Sequence, residues 1–206
     1  MRAPAKLIVA SSNRGKLREY QALAAGHNVE LSLLADFDSL LPFDESAPTF
    51  AENAAGKAMH YSRFVVEPVM ADDSGLVVPA LGGAPGPQSA RYAGADATDA
   101  KNLHKVLDEM RAKLGSERRA RFVCVLAMAQ QGRLSAVFSD SVEGTLLVAP
   151  RGDGGFGYDP IFFYEPLGKT FAELPREEKN QHSHRGKAFR KLLAFVEGDA
   201  DSAVIL

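Results

Sequence analysis

Apolar residues along the chain recur with two different periods, and the changes of period mark out its elements. Leu7, Ile8, Val9 and Ala10 form an unbroken apolar run that predicts a buried strand over residues 6–10. After the polar stretch Ser11-Ser12-Asn13-Arg14-Gly15-Lys16, the residues Leu17, Tyr20, Leu23 and Ala24 fall on one helical stripe. Residues 29–34 alternate well enough to be a second strand. Thr49 with Glu52 three positions on is a capping-box pattern, and it opens a helix expected from residue 50 to 65, short of Pro68. Residues 69–71 and 76–80 are expected as two strands around an acidic turn, Asp72-Asp73-Ser74-Gly75. Leu103, Val106, Leu107, Met110 and Leu114 lie at core spacing for a helix over residues 99–114. Residues 119–130 and 133–143 read as two long strands joined by a hairpin at Gln131-Gly132, with 145–149 as a further strand. Their length predicts a ribbon reaching beyond one lobe. Ile161-Phe162-Phe163-Tyr164 is a strand, and Thr170 starts a short capped turn. Ser183 caps a last helix that carries Ala188, Leu192, Leu193 and Val196 inward.

Composition narrows the function classes. The chain has 206 residues, enough for one large or two small domains with a real core. Hydrophobic residues make up 46% and charged residues 24%, as in an ordinary soluble globular protein. The net charge of −2, with Lys and Arg scattered, argues against a nucleic acid polymer as partner and fits a local anion site. Cys124 is the single cysteine and lies in an apolar run, so it reads as a core thiol and excludes an intrachain disulfide. The apolar run at the N-terminus is too short for a signal peptide or a membrane span, which makes a cytoplasmic enzyme the expectation.

Three stretches carry candidate chemistry. Asp72 and Asp73 close a short apolar run, where carboxylates are well placed to hold a hard cation or activate a water. As strand neighbours they would point to opposite faces, so one of them faces the chemistry. A plain turn uses the same residue types, and that reading stays open on these residues alone. The loop from Ser11 to Lys16, between a strand and a helix, can present backbone N–H groups and a cation to phosphate. It is not a Walker motif, since the glycine spacing differs and no Ser or Thr follows Lys16; a capped helix with a surface lysine would look alike. Gly152, Gly154 and Gly157 match the dinucleotide pattern G-x-G-x-x-G, but the stretch leads into a strand and not a helix, so the match is rejected. The loop is better read as backbone close to a flat ligand, with Phe156 or Tyr158 to stack on it, or as a bare glycine loop. His184 and Arg185 at a helix start oppose the helix dipole, which asks for an anion or polar ligand nearby. His27, His60, His104 and His182 show no metal spacing.

Together these pieces resemble the inosine/xanthosine triphosphatase family, the pyrophosphatases of non-standard purine nucleoside triphosphates. The matching motifs are Ser11-x-Asn13-x-Gly15-Lys16-x-x-Glu19, Thr49-Phe50-x-Glu52-Asn53-Ala54-x-x-Lys57-Ala58, Ala71-Asp72-Asp73-Ser74-Gly75-Leu76, Gly82-Gly83-Ala84-Pro85-Gly86, Ser89-Ala90-Arg91-Tyr92, Gly154-Gly155-Phe156-Gly157-Tyr158-Asp159-Pro160 and Ser183-His184-Arg185-Gly186-Lys187-Ala188. They come in family order over nearly the whole chain. Ser11 replaces the commoner Thr, and Gln88 and His182 stand where Tyr and Ile are usual.

The resemblance implies an α/β fold: a long mixed central β-sheet flanked by helices, in two lobes with the active-site cleft between them, as a single domain over 1–206. It implies hydrolysis at the α–β bond of inosine, deoxyinosine and xanthosine triphosphates (ITP, dITP and XTP), giving monophosphate and pyrophosphate. Asp73 would be the general base and, with Glu45, a Mg²⁺ ligand. Ser11, Ser12, Asn13, Arg14, Gly15, Lys16 and Lys57 would contact the triphosphate, and Ser74 the substrate beside Asp73. Phe156, Gly157, Tyr158, Asp159, Lys179, His184 and Arg185 would form the base pocket. A homodimer is implied as well. Two other readings remain: a pyrophosphatase for modified pyrimidine triphosphates, which shares the reaction, and a non-catalytic nucleotide sensor, which would not need Asp73 or Glu45.

Overall fold

The computed structural model describes residues 3–11, 13–34 and 37–198, apart from the side chains of Arg14 and Asp38. Ser12 and the Arg14 side chain, both expected at phosphate, therefore lie outside the described residues. In chain order the elements are β1 (Ala5–Val9), α1 (Arg14–Ala24), β2 (Val29–Leu33), α2 (Phe50–Tyr61), β3 (Val69–Val77), α3 (Asp99–Glu109), β4 (Arg119–Gln130), β5 (Arg133–Leu146), β6 (Phe162–Tyr164), β7 (Lys169–Thr170), α4 (Arg176–His182) and α5 (His184–Glu197). The strands form one mixed seven-stranded sheet in the order β2-β1-β3-β4-β5-β6-β7. β1 runs parallel to β2 and β3, whereas β6 is antiparallel to β5 and β7. The expected α/β class, a mixed sheet with flanking helices, is what the chain adopts. Among the described residues no helix is long and apolar enough to cross a membrane.

The chain divides into two compact units. One comprises the chain up to Asp73, Cys124–Asp140 and the chain from Arg185 on. Its core gathers Leu7, Val9, Tyr20, Met70, Cys124, Leu126, Phe138 and Phe189, so Cys124 is a buried core thiol as its neighbours in sequence suggest. The other comprises Ser74–Val123 and Ser141–His184. There Leu76, Leu103, Val106, Met110, Phe122, Phe162 and Phe171 pack together.

Several boundaries differ from the sequence expectation, each for a traceable reason. The acidic stretch is not a turn between two strands: β3 runs unbroken through Asp72, Asp73, Ser74 and Gly75. Ser89 makes this possible: its Oγ accepts the Leu76 N–H at 2.9 Å while donating to the Gly86 carbonyl at 2.6 Å. A side chain at Gly75 would collide with that Ser89 hydroxyl and the Gly86 carbonyl, so glycine marks a close approach here and not a bend. α2 stops at Tyr61, before residue 65, because the buried Ser62 hydroxyl accepts the Gly132 N–H at 2.9 Å and turns the chain. α3 stops at Glu109, and Leu114, expected in the core, is 73% exposed. The Arg118 guanidinium draws this segment off the helical path by donating to the carbonyls of Met110 and Lys113. β5 continues to Leu146 and absorbs the start of the separate strand expected at 145–149; Thr145 and Leu146 pair with β6. The Gln131-Gly132 hairpin turn stands as expected, both residues having positive φ.

Candidate active site

The unit that contains Asp73 holds most of the charged candidates. Asp72 and Asp73 are both buried on β3 and take different partners. Asp72 Oδ2 meets Lys16 Nζ at 2.8 Å. Asp73 Oδ2 accepts from Asn53 Nδ2 at 3.0 Å. Asn53 is itself fixed: it donates to the Ala47 carbonyl and accepts the Ala47 N–H, tying the loop before α2 to the acid. One turn further along α2, Lys57 Nζ reaches Glu45 Oε1 at 2.6 Å. Thr49 caps α2 and exchanges hydrogen bonds with Glu52, as the capping pattern predicts.

The electrostatics of the two aspartates diverge. Burial pushes Asp72 up, but Lys16, Arg185 and Lys57 outweigh it and hold the carboxyl below the ordinary range. For Asp73 burial wins: Lys16 and Asn53 pull it down, Glu45 and Asp72 push it up, and it lies at about 6. Burial works against the charge on Lys57, yet Asp72, Glu45 and Asp73 more than compensate and raise its pKa, so it stays an ammonium.

Glu45 and Asp73 suit a hard divalent cation. Both offer carboxylate oxygen, and the charge of Glu45 is one of the causes that lift Asp73, a repulsion that a cation would relieve. Among the described residues no group of three His, Cys, Asp or Glu side chains gathers as a closed metal cage. Two carboxylates fit Mg²⁺, which keeps water and phosphate oxygens as its other ligands.

At the start of α1, Asn13 caps the helix, its Oδ1 accepting from the N–H groups of Gly15 and Lys16 at 2.9 and 3.1 Å. Ser11 Oγ accepts the Asn13 N–H at 3.2 Å. The cap engages the Gly15 and Lys16 N–H groups, which were expected to face phosphate. Arg185, expected at an open helix mouth, is 3% exposed and paired with Glu19. The anion that a basic first turn calls for is thus supplied from within the chain.

The second unit organises the glycine loop. Ser74, half-buried, begins this unit directly after Asp73. The Phe156 N–H donates to Asp159 Oδ2 at 2.9 Å, and the Gly157 N–H donates to Asp99 Oδ2 at 2.8 Å. Lys179 Nζ pairs with Asp159 at 2.7 Å and lies 4.9 Å from the centre of the Phe156 ring. Tyr158 does not serve as a stacking ring: it is buried in the core and its hydroxyl donates to the Ser89 carbonyl at 2.8 Å. Phe156 is half-buried and keeps that option. His184 is buried and stacks on Phe122, with ring centroids 4.8 Å apart. The loop leads into a short 3-10 turn and then β6, so the rejected dinucleotide pattern indeed opens no helix.

Sequence reasoning gave no role to Asn53 or Asp99. For Asn53 the signal was present, since Asn53 and Lys57 are four positions apart on one helix face. Asp99 carried no signal beyond that of a helix start.

The chain is similar to known proteins over most of its length. The model of the Ham1 family matches residues 7–195. A dITP/XTP pyrophosphatase of Geobacillus kaustophilus is 52% identical over 187 residues, which are 91% of this chain and 92% of that one. A dITP/XTP pyrophosphatase of Thermus thermophilus is 49% identical over 194 residues, 94% of this chain and 93% of that one. Among solved structures, a HAM1 protein from Coxiella burnetii aligns with a TM-score of 0.84 at 39% identity, covering 94% of this chain and 98% of that one.

Proposed function

The chain belongs to the Ham1 family, and from that premise we propose that it hydrolyses ITP, dITP and XTP to the monophosphate and pyrophosphate, clearing deaminated purines from the nucleotide pool. The observation that carries the reading is the Asp73 carboxylate, buried, held by Asn53 and raised to about 6, in the same unit as Lys16, Lys57 and Glu45. That value belongs to the metal-free carboxyl; a bound cation would lower it, so Asp73 would orient a water as much as take its proton. Glu45 and Asp73 are the carboxylates that would hold Mg²⁺, which supplies neutralisation of phosphate oxygens and a more acidic water.

This chain's own residues do the rest. Asn53 keeps Asp73 in one orientation, so that a water hydrogen-bonded to the carboxylate is aimed and its proton accepted. Lys57 remains charged and would exchange Glu45 for phosphate oxygen when a triphosphate of about four negative charges arrives, and Lys16 would meet the same oxygens. Binding the β- and γ-phosphates in this way favours pyrophosphate as leaving group. In the second unit, Phe156 offers a ring for the base, with Lys179 against it. Donors of the base-binding set, His184 among them, would welcome the 6-oxo group of hypoxanthine or xanthine and meet a 6-amino donor in adenine. We also propose the cytoplasm as its compartment and a homodimer as its state, the latter being what the resemblance implies.

A panel of triphosphates with Mg²⁺ tests the reading. kcat/KM for dITP, ITP and XTP should exceed that for ATP by about 10⁴ or more, the scale on which a polar site rejects its mismatch. Guanine shares the 6-oxo group, so discrimination against GTP should be weaker. ATP turned over as well as ITP would refute the assignment, and preference for a modified pyrimidine triphosphate would favour the pyrimidine reading.

A further inference from the structure

The reaction as derived gives no part to Asp72, although at 1% exposure it is the least exposed charged residue among those described. A carboxylate in such surroundings is costly unless it is paired, and its strand neighbours Met70 and Ala71 show that this part of the strand accommodates apolar residues on both faces. Its Oδ2 is given to Lys16 Nζ at 2.8 Å. The other two cations that act on it have partners of their own: Arg185 is paired with Glu19, and Lys57 with Glu45. What Asp72 adds is therefore a fixed place for Lys16. Left alone, a lysine is a point charge on a flexible four-carbon stem that samples many rotamers.

We propose that Asp72 is a positioning residue of the pyrophosphohydrolase reaction, its buried carboxylate holding the Lys16 ammonium in place at the start of α1 before the triphosphate binds. The inference rests on the reading of Lys16 as a triphosphate contact. It differs from a metal-ligand role, because Asp72 is sealed from solvent and its Oδ2 is bonded to an ammonium. It also predicts a kinetic signature that a purely structural residue would not give. Asp72 places a negative charge beside Lys16, so it weakens ground-state attraction for a polyanion while fixing the geometry in which the leaving group is met. Removing that charge frees the lysine to bind phosphate in many poses, few of them productive.

The test measures kcat and KM separately, with dITP and Mg²⁺, for wild type, Asp72→Asn, Lys16→Gln and the double variant. Asp72→Asn should lower kcat by about 10²-fold, the scale of a small misplacement in a positioned site, with KM unchanged or lower. Lys16→Gln should raise KM as well. The double variant should be no worse in kcat than Lys16→Gln alone, because Asp72 has lost the group through which it acts. A wild-type kcat in Asp72→Asn overturns the proposal, as do losses that multiply in the double variant. Should Asp72→Asn fail to fold, Asp72→Glu keeps the charge and displaces the lysine; it must show the same kcat loss, and a wild-type kcat there overturns the proposal too. Absence of pyrophosphate release by the wild type would overturn the functional reading and this inference together, whereas a proposal wrong by itself leaves the wild type active.

Discussion

With its pKa raised from the ordinary 3.8 to about 6 by burial, Asp73 binds a proton more readily in the folded chain than in the unfolded one. The sign of the stability effect follows. Below about pH 4 the carboxyl is protonated in both states and its burial carries no charge penalty. Above about pH 6 it is ionised in both, and the metal-free fold bears the full penalty, on the order of 2–3 kcal/mol. Asp73→Asn removes that penalty together with the proposed proton acceptor. In chelator, the variant should therefore melt higher than wild type at about pH 8, with the gain vanishing as pH falls towards about 4. Its kcat with Mg²⁺ should drop by about 10²–10⁴. A variant that is no more stable at the higher pH, or that keeps most of its activity, would contradict the roles given to this carboxylate. Arg185 poses the opposite case. Arg185→Ala leaves Glu19 buried without its guanidinium, so a change in base selectivity must be measured beside a melting curve.

At the scale of elements, β3 shows both how far the sequence could be read and where it stopped. The helix starts were legible because their signals are local: Thr49 with Glu52, and the stripe from Leu17 to Ala24. Asp72-Asp73-Ser74-Gly75 has the composition of a turn, and only Ser89, well downstream, converts it to a strand. A local reading cannot see a hydroxyl that arrives from another segment. The same holds for the ion pairs of the site. Lys16 with Asp72 and Arg185 with Glu19 join distant parts of the chain, whereas Asn53 and Lys57 share a face by simple helical spacing. Arg185 in particular read as a ligand-facing donor because its partner lies far off in sequence. Gly75→Ala tests the account of β3. Its new methyl group would meet the Ser89 hydroxyl and the Gly86 carbonyl, and overpacking of this kind costs about 1–3 kcal/mol. The variant should melt measurably lower than wild type; an unchanged melting temperature would show that the approach is looser than described.

For the whole molecule, a net charge of −2 says little about a substrate carrying about four negative charges, and the answer lies in how the charges are distributed. In the unit that contains Asp73, each lysine of the site is matched with a carboxylate, Lys16 with Asp72 and Lys57 with Glu45. A triphosphate would meet these ready-made cations, and a divalent cation would offset the carboxylate charge beside it. The proposed consequence is a choice of bond: cations that bind the outer phosphates would make pyrophosphate the departing group, with Asp73 directing water to the α-phosphorus. The most direct measurement is the identity of the products from dITP and Mg²⁺, with no inorganic pyrophosphatase present. The account predicts one pyrophosphate and one deoxyinosine monophosphate per dITP consumed, with no orthophosphate. Stoichiometric orthophosphate with deoxyinosine diphosphate would contradict it.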